Sequence, residues 1–362
     1  MDPADQNQPA GLLPQGDIFM ATYDWLFNVL GLRKWCDAGA SDGPMSMAQL
    51  LAKTGNAAPQ SGVNFAFPSL DELNKACGQI SQTRDVIKGL ENGFLAIRPA
   101  LRTVLDPITQ PLSWMLDGTL YLFMTAPWFL IMALILVAVW FSTRSFSVLL
   151  FNAFCLSFFA FVDHFEPAMQ TFAVILVCTI ISALFGIPIG IAMSKYNRLQ
   201  KAIIPVLDLL QTLPTFVYLI PLIFLFPIGE SRLYGIAIIL YAIVPVIRLT
   251  DLGVRLVDKD VVEAGNAFGM SPGQKLTKVE LPLALPNIMA GLNQTIMMSL
   301  AMVVIASMVT APGLGVLVLR GIRNLELGVG LMAGVCIVLL AVMLDRTSKA
   351  ALSRIDRTKN EM

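Results

Sequence analysis

The sequence has few of the side chains on which soluble enzymes rely. It contains one histidine, His164, and five cysteines with no Cys-x-x-Cys pair. Metal sites and acid–base pairs built on histidine are therefore nearly excluded. The sequence also has no Gly-x4-Gly-Lys-Ser/Thr motif, so it shows no phosphate-binding loop for ATP. We expect no catalytic residue, no metal site and no cofactor on this chain.

Charge is scarce as well. Only 14% of the residues are charged, against about 25% in soluble domains, and 56% are hydrophobic. Lys and Arg balance Asp and Glu at 25 each, so no excess of positive charge indicates a nucleic-acid partner. These values predict an all-α, multi-pass integral membrane protein surrounded by lipid.

The five cysteines fall into two groups. Cys155, Cys178 and Cys336 lie in apolar runs and are predicted to be packing residues. Cys36 and Cys77 share the N-terminal region, where they are either free thiols or, if that region is extracytoplasmic, a disulfide.

Uncharged runs divide the second part of the chain into candidate membrane spans, each of which needs about 20 apolar residues. These runs are 118–143, 145–162, 167–194, 209–229, 233–247, 281–319 and 327–344. The run 281–319 is too long for one span. We place its span at 288–311, a turn at 312–315, and a re-entrant or surface helix at 316–325. The total is about seven transmembrane helices.

Positive charge is distributed unequally between the two sides of such a topology. The loops containing Arg144, 195–201 and 248–280, together with Arg346 and the C-terminal tail 347–362, hold 14 Lys and Arg, against 3 in the opposite loops. The positive-inside rule therefore predicts that these loops and the C-terminus are cytoplasmic and that the N-terminus is extracytoplasmic.

The N-terminal region has a different composition. Residues 1–117 carry twelve Asp and Glu against eight Lys and Arg. We predict that residues 1–98 form a mostly helical or disordered extracytoplasmic tail, with a capping box at 69–72 that opens a polar helix to about Gly93. Residues 99–121 are predicted to form an amphipathic segment at the membrane surface, and 122–166 two additional transmembrane helices.

A polar island, residues 251–282, interrupts the apolar sequence. Its nine charged residues are Asp251, Arg255, Asp258, Lys259, Asp260, Glu263, Lys275, Lys278 and Glu280. Each charge costs about 2.5–3.5 kcal/mol at the centre of a bilayer, so the island is predicted to be an aqueous loop. Apolar residues at helical spacing indicate a short amphipathic helix, a turn at 269–273, and a second short helix that ends at Leu281-Pro282. Small residues in the first helix favour close approach of a soluble partner.

Within this loop, Glu263-Ala264-Gly265 is followed by Gly269 after three residues, Val279 after nine more, and Leu281-Pro282 after one more. This spacing resembles the cytoplasmic signature of permease subunits of binding-protein-dependent ABC importers. That signature has Ala at the position of Gly265 and Ile at the position of Val279, and both differences are small in volume.

Further segments resemble one branch of that family, the glycine betaine/proline betaine permeases of the quaternary-amine uptake group. They are 207–208, 211–219, 293–295, 301–308, 313–315 and 319–322. The similarity covers roughly 100–346, and the five-helix type I permease core of the family would correspond to 167–346. The resemblance implies a bacterial cytoplasmic (inner) membrane protein that imports a compatible solute.

The resemblance also implies partners and site residues. Two copies of the chain would form the translocation path, two ABC ATPase subunits would bind ATP and Mg, and an extracytoplasmic solute-binding protein would deliver substrate. Glu263, Ala264, Gly265 and Gly269 would couple the chain to the ATPase, although turn geometry is an alternative role for Gly269.

Polar residues in the apolar runs are candidates to line a path. They are Gln211, Thr212, Asn293, Gln294, Thr295, Ser299 and Ser307. Hydrogen bonding between helices explains such residues equally well.

Two alternative functions follow from the sequence. The first is a permease of the same family for choline, carnitine or an amino acid. The second is a channel or membrane scaffold that is not coupled to an ATPase. Carriers driven by ion gradients usually have ionisable groups within the membrane. The near absence of such groups here argues against a carrier of that kind.

Overall fold

The computed structural model describes residues 30–31 and 83–360. Two predictions, the capping box at 69–72 and the pairing of Cys36 with Cys77, lie outside these residues. The chain divides into two compact units, Met1–Pro99 and Ala100–Met362. The description below concerns the second unit and the helix that leads into it.

Every regular element in the described part of the chain is helical, which confirms the predicted all-α membrane fold. The helices are α1 (Thr83–Thr125), α2 (Trp128–Thr143), α3 (Phe146–Phe161), α4 (Phe165–Lys195), α5 (Asn197–Thr212), α6 (Thr215–Leu225), α7 (Ser231–Arg255), α8 (Lys259–Ala267), α9 (Pro272–Lys275), α10 (Leu281–Ala306), α11 (Leu314–Asn324) and α12 (Leu327–Asn360). A π-helical turn, Leu276–Glu280, joins α9 to α10.

Four helical segments of the described residues are long and apolar enough to cross a membrane: Phe165–Lys195, Ser231–Arg255, Pro272–Ala306 and Leu327–Arg354. The number rises to six if each of two bent helix pairs is one span, and Phe146–Phe161 is a shorter apolar helix. All seven uncharged runs thus contain helix, but 118–143 and 209–229 are each broken into two.

Proline explains where the two bent pairs break. Helices α1 and α2 meet at a bend of 116°, and α5 and α6 at a bend of 96°. Pro127 precedes α2 and Pro214 precedes α6, each with extended ψ. A proline disfavours helical backbone in the residue before it, so each preceding helix ends there.

Three boundaries differ from the predictions. The polar helix expected to end near Gly93 continues to Thr125, so the segment predicted at 99–121 is part of the same helix. The span predicted at 288–311 begins earlier and ends at Ala306. The second short helix of the polar island does not end at Leu281-Pro282, because it runs through the π turn into α10.

The π turn provides a physical reason for this continuity. Pro282 has no backbone N–H, and its ring would clash in a regular α-helical turn. In the wider turn that precedes it, the Leu281 N–H donates to the Leu276 carbonyl five residues earlier. Local π adjustments of this kind accommodate proline within membrane helices.

The core is built around α7, which packs along both α4 and α10. Small residues allow this approach: a Cβ on Gly190 of α4 would lie 2.6 Å from the Thr250 Cβ and 2.7 Å from the Ile247 carbonyl oxygen of α7. Cys155, Cys178 and Cys336 are free and fully buried, which confirms them as packing residues. Gly313 is the N-cap of α11, and the start of this helix is anchored to α4, because the Leu314 N–H donates to the Thr171 Oγ1 at 2.9 Å.

Candidate functional site

Residues 258–275, which we call the polar hairpin, comprise α8, a turn and α9. Asp258 is the N-cap of α8, and its side chain accepts the Asp260 N–H at 3.0 Å. A carboxylate at this position accepts a hydrogen bond from an N–H group that has no partner within the helix. Its negative charge also interacts favourably with the positive end of the helix dipole. A local interaction within the first turn therefore defines the start of the helix at Lys259.

A glycine in left-handed conformation ends that helix. Gly269 has φ +75°, and its N–H donates to the Asn266 carbonyl at 2.9 Å, while the Met270 N–H donates to the Gly265 carbonyl at 3.1 Å. These two bonds form a Schellman motif, in which glycine is strongly favoured. Gly269 thus has a defined geometric role, the alternative that the sequence left open.

The second arm of the hairpin is capped and tied to the first. Ser271 and Gln274 form a capping box, with the Ser271 N–H donating to the Gln274 Oε1 at 3.0 Å. The Lys275 ammonium then donates to the Asn266 Oδ1 at 2.9 Å across the turn. The hairpin is therefore a preformed unit with several internal hydrogen bonds.

Two of the four residues that the resemblance assigned to coupling present their side chains to the outside. Glu263 and Ala264 are exposed, whereas Gly265 is buried and faces the second arm. A Cβ on Gly265 would lie 3.6 Å from the Met270 sulfur, which is ordinary contact. The alanine that the family signature carries at this position therefore fits the space.

The apolar stripe of the hairpin is also exposed. Val261, on the same helix as Ala264, is 42% exposed, and Phe268, the C-cap residue of that helix, is 84% exposed. Their helical spacing indicated an amphipathic helix, but did not show whether the chain itself covers the apolar side. A large exposed aromatic side chain at the tip of a polar hairpin indicates a surface that a partner covers.

Arg255, in the last turn of α7, ties α7 to the α4–α5 junction. It donates to the Met193 carbonyl at 2.7 Å, to the Asn197 Oδ1 at 2.9 Å and to the Asp251 Oδ1 at 2.9 Å. Asp251 also accepts a hydrogen bond from the Gln200 amide at 2.7 Å. The several N–H donors of one guanidinium thus join three helices, α4, α5 and α7.

Lys195 and Glu280 form a second tie. The Lys195 ammonium, at the end of α4, pairs with the Glu280 carboxylate in the π turn, and Glu280 is only 4% exposed. The prediction that all nine charges of the island are aqueous is therefore wrong for Asp251 and Glu280. Both are buried: the charge of Glu280 is matched by Lys195, 85 residues away, and that of Asp251 by Arg255, one turn along the helix.

The candidate path residues fall into two sets, four that are exposed or half-buried and three that are buried. Gln211, Thr212 and Gln294 have exposed side chains. Asn293 is half-buried and contacts α12, because its amide donates to the Asp345 Oδ1 at 3.1 Å. The Ser348 hydroxyl also donates to the Asn293 Oδ1. Asn293 therefore joins α10 to α12.

The other three candidates are buried within the chain. Thr295 and Ser299 are fully buried, and the Thr179 hydroxyl lies 3.5 Å from the Ser299 Oγ. Ser307 donates to the Val303 carbonyl at 2.9 Å and packs against Gly315 of α11. These hydroxyls lie between helices in this conformation of the chain.

A third polar cluster lies at the opposite end of α7. Arg232 is 7% exposed, donates to Asp106 of α1 at 2.8 Å, pairs with Glu230, and lies over the Phe226 ring at 5.2 Å. Ser231 hydrogen-bonds to Asp117 of the same helix α1. Asp106 and Asp117 thus attach α1 to the start of α7. The amphipathic pattern of the α1 sequence does not reveal this contact.

Within the described residues, no group of three or more His, Cys, Asp or Glu side chains could hold a metal ion. The polar clusters above are composed of complementary charges and amides. Their geometry suits mechanical attachment between elements.

Comparison with known proteins gives consistent findings. Residues 182–357 match the family model for the binding-protein-dependent transport system inner membrane component. The chain is 44% identical over 213 residues to the glycine betaine transport system permease protein OpuAB of Bacillus subtilis, an alignment that covers 59% of this chain and 74% of that protein.

Two other relatives and one solved structure are similar over different lengths. The chain is 37% identical over 252 residues to the glycine betaine/carnitine transport permease protein GbuB of Listeria monocytogenes, covering 69% of this chain and 87% of that protein. It is 47% identical over 190 residues to the glycine betaine/proline betaine transport system permease protein ProW of Escherichia coli, covering 52% and 53%. A chain of the MetNI methionine ABC transporter in an inward facing conformation aligns with a TM-score of 0.48 at 18% identity, covering 53% of this chain and 95% of that chain.

Proposed function

The chain belongs to the family of inner membrane components of binding-protein-dependent transport systems, and we propose that it forms the translocation path for glycine betaine or proline betaine. The chain is a multi-pass inner-membrane permease subunit. The observation that carries the substrate proposal is the 44% identity to a glycine betaine permease over 74% of its length. The 47% identity to a glycine betaine/proline betaine permease supports it.

In this proposal the polar hairpin docks on an ABC ATPase subunit. Phe268 and Val261 would fill an apolar groove on the ATPase, and Glu263 would pair with a basic residue at its rim. An exposed aromatic anchor surrounded by polar residues is typical of an interface hot spot. The capping interactions that preform the hairpin reduce the entropy lost on docking.

Movement of the hairpin would be passed to the spans through three elements. The π turn continues directly into α10, the Lys195–Glu280 pair attaches that turn to α4, and Arg255 attaches α7 to the α4–α5 junction. ATP binding by the ATPase would move the hairpin, and α4, α7 and α10 would follow as one packed body. Alternating access then results from a rigid-body change.

The path itself would form between two copies of the chain. Gln211 and Thr212 at the bend between α5 and α6, and Gln294 on α10, are exposed in the single chain and would face the path. Thr295, Ser299, Asn293 and Ser307 would come to face it only if α10 shifts. Two ATPase subunits would dock on the two hairpins, one on each copy.

The distribution of charge supports the orientation in this proposal. Arg354, near the end of α12, donates to the Phe141 and Ser142 carbonyls at the end of α2, so these ends lie together. They belong to the side predicted to hold 14 Lys and Arg, which would be cytoplasmic. The N-terminal residues would then be extracytoplasmic, where the solute-binding protein delivers substrate. Quaternary ammonium ions bind in aromatic cages, and we place the high-affinity cage on that protein.

The experiment is uptake in proteoliposomes that contain the chain with its ATPase and binding protein. We expect uptake of labelled glycine betaine that requires ATP and the binding protein, and competition by proline betaine. Uptake that proceeds without ATP would indicate a channel. Retention of ATPase binding without uptake of any of these solutes would reject the substrate and leave the permease assignment intact.

A second candidate substrate is carnitine, because the relative GbuB is named for both glycine betaine and carnitine. The same vesicles test it directly, with choline and an amino acid as further competitors. Uptake of carnitine at a rate equal to that of glycine betaine would favour a broader quaternary-amine permease.

A further inference from the structure

An apolar groove of about 360 Å³ lies between α2 and α3, away from the polar hairpin and from the candidate path. Its lining comes from the second half of α2 and the first half of α3: Leu136, Val137, Trp140, Phe141, Phe146, Leu149, Leu150 and Ala153. Every one of these side chains is apolar. The groove is open on one side, and its volume is within the range of about 300–1,000 Å³ that is usual for small-molecule sites.

Positive charge lies at one end of this groove. Arg144 forms the turn between α2 and α3, and its guanidinium carbon lies 5.7 Å from the centre of the Phe141 ring, which lines the groove. The side chain of Arg144 is exposed. Arg354 brings a second guanidinium to the same end, because it donates to the carbonyls of Phe141 and Ser142.

The two helices that form the groove are short. Each has 16 residues, which corresponds to about 24 Å, against a hydrocarbon core of about 30 Å. A short hydrophobic length is accommodated by local thinning of the bilayer and by arginine side chains that reach the headgroups. The α2–α3 turn and its arginine are therefore drawn to the level of the lipid phosphates.

We propose that this groove is a binding site for one anionic phospholipid, with an acyl chain between α2 and α3 and the headgroup phosphate on Arg144. The apolar lining suits a hydrocarbon chain and offers no partner to a polar ligand. The arginine supplies charge complementarity at the only end of the groove where a headgroup would lie. Arg354 is held by the backbone carbonyls of Phe141 and Ser142, so the headgroup is assigned to Arg144.

Trp140 provides a probe inside the groove. The full-length chain is reconstituted in bilayers that contain phosphatidylglycerol or phosphatidylcholine with brominated acyl chains, which quench nearby tryptophan fluorescence. The chain has five tryptophans, so the signal of Trp140 is isolated as the difference between the natural chain and a Trp140→Phe variant. Mixtures of the two lipids give their relative binding constant at this position.

We expect phosphatidylglycerol to be favoured at Trp140 by about fivefold, which corresponds to one arginine near an anionic headgroup. Arg144→Gln should reduce this preference close to unity. Arg198→Gln is the matched control, because Arg198 is an exposed arginine on α5 and outside the groove. That variant should keep the preference.

A second variant tests the groove without a change in charge. Ala153 lines the groove, and Ala153→Phe should fill it and lower the quenching of Trp140 by either lipid. Ala160→Phe is the control, because Ala160 is exposed on the same helix and does not line the groove. Unchanged quenching in Ala153→Phe would overturn the acyl-chain assignment.

The remaining outcomes also decide the proposal. Equal binding of the two lipids at Trp140, with or without Arg144, would mean that bulk lipid fills the groove. Absence of quenching by both lipids would mean that protein covers it, for example a second copy of the chain. Either result overturns the proposal, and neither bears on uptake of glycine betaine, which is measured separately.

Discussion

Lys195 and Glu280 form an ion pair that joins the end of α4 to the π turn between the polar hairpin and α10. Glu280 is buried, whereas the Lys195 side chain is 38% exposed. The ion pair attaches the segment proposed to meet the ATPase to α4, and the same segment continues directly into α10.

Removal of the charge of Glu280 should both destabilise the chain and reduce coupling. Glu280→Gln leaves the Lys195 ammonium without its anion, at an expected cost of about 1–3 kcal/mol, less than for a fully buried pair. Uptake per ATP hydrolysed should fall more than ATP hydrolysis itself. Exchange of the two residues, Lys195→Glu with Glu280→Lys, should restore part of both properties.

The control for this pair is the ion pair of Lys349 with Asp345, in which Lys349 is 63% exposed. Lys349→Met should change thermal stability by less than about 1 kcal/mol, since exposed pairs contribute little. If Glu280→Gln transported solute with the natural yield per ATP, the proposed role of the pair in coupling would be wrong.

Reversal of charge on the exposed face of the hairpin tests docking. Glu263→Lys should insert and fold normally, because Glu263 is exposed, but should lose ATPase association and ATP-driven uptake. Co-purification of the two subunits measures association directly. Glu166→Lys, an exposed carboxylate at the start of α4, is the control and should retain association. Natural uptake by Glu263→Lys would remove this residue from coupling.

The exposed aromatic at the tip of the hairpin should be an energetic anchor. Phe268→Ala is expected to weaken ATPase binding by about 2 kcal/mol, or roughly 30-fold, the threshold that defines an interface hot spot. Phe161 at the end of α3 is 89% exposed and serves as the matched control. Titration of purified ATPase onto the reconstituted chain measures both variants, and equal affinities would contradict the docking surface.

Two glycines of the hairpin should respond differently to alanine. Gly269→Ala places a Cβ at φ +75°, at a cost of about 1–2 kcal/mol, and should loosen the turn. Gly269→Asn should cost less, since asparagine adopts left-handed backbone more readily. Gly265→Ala should keep ATPase binding, because its Cβ makes no contact closer than 3.6 Å. Hydrogen exchange of the hairpin amides and ATPase affinity together measure these effects, and equal loss in the two alanine variants would argue against the turn as the cause.

Access from solvent separates the two sets of path candidates. Gln294→Cys should react with a water-soluble maleimide in the reconstituted complex, and its rate should change when ATP and vanadate trap the ATPase. Ser299→Cys should stay unreactive in the ATP-free state, because Ser299 is fully buried between helices. Native cysteines are replaced beforehand in both variants. Rapid labelling of Ser299→Cys without ATP would show that the path runs through the α4–α10 contact.

Local patterns in the sequence were sufficient for the class of fold and for the hairpin. Because charge is costly in lipid, the charged residues within 118–344 mark the boundaries between apolar runs. The spacing from Glu263 to Pro282 identifies the hairpin and its family. Helix caps such as Asp258 and Ser271 form hydrogen bonds within one turn, so they too can be predicted from neighbouring residues in the sequence.

Tertiary structure decided which of the polar residues meet. Nothing local distinguishes Glu280, which is buried against Lys195, from Glu263, which is exposed, because the difference arises from an element 85 residues away. The same holds for the exposure of Phe268 and for the attachment of α1 to Arg232. Spacing along a helix determines which side chains share a face, whereas the packing of distant helices determines what that face contacts.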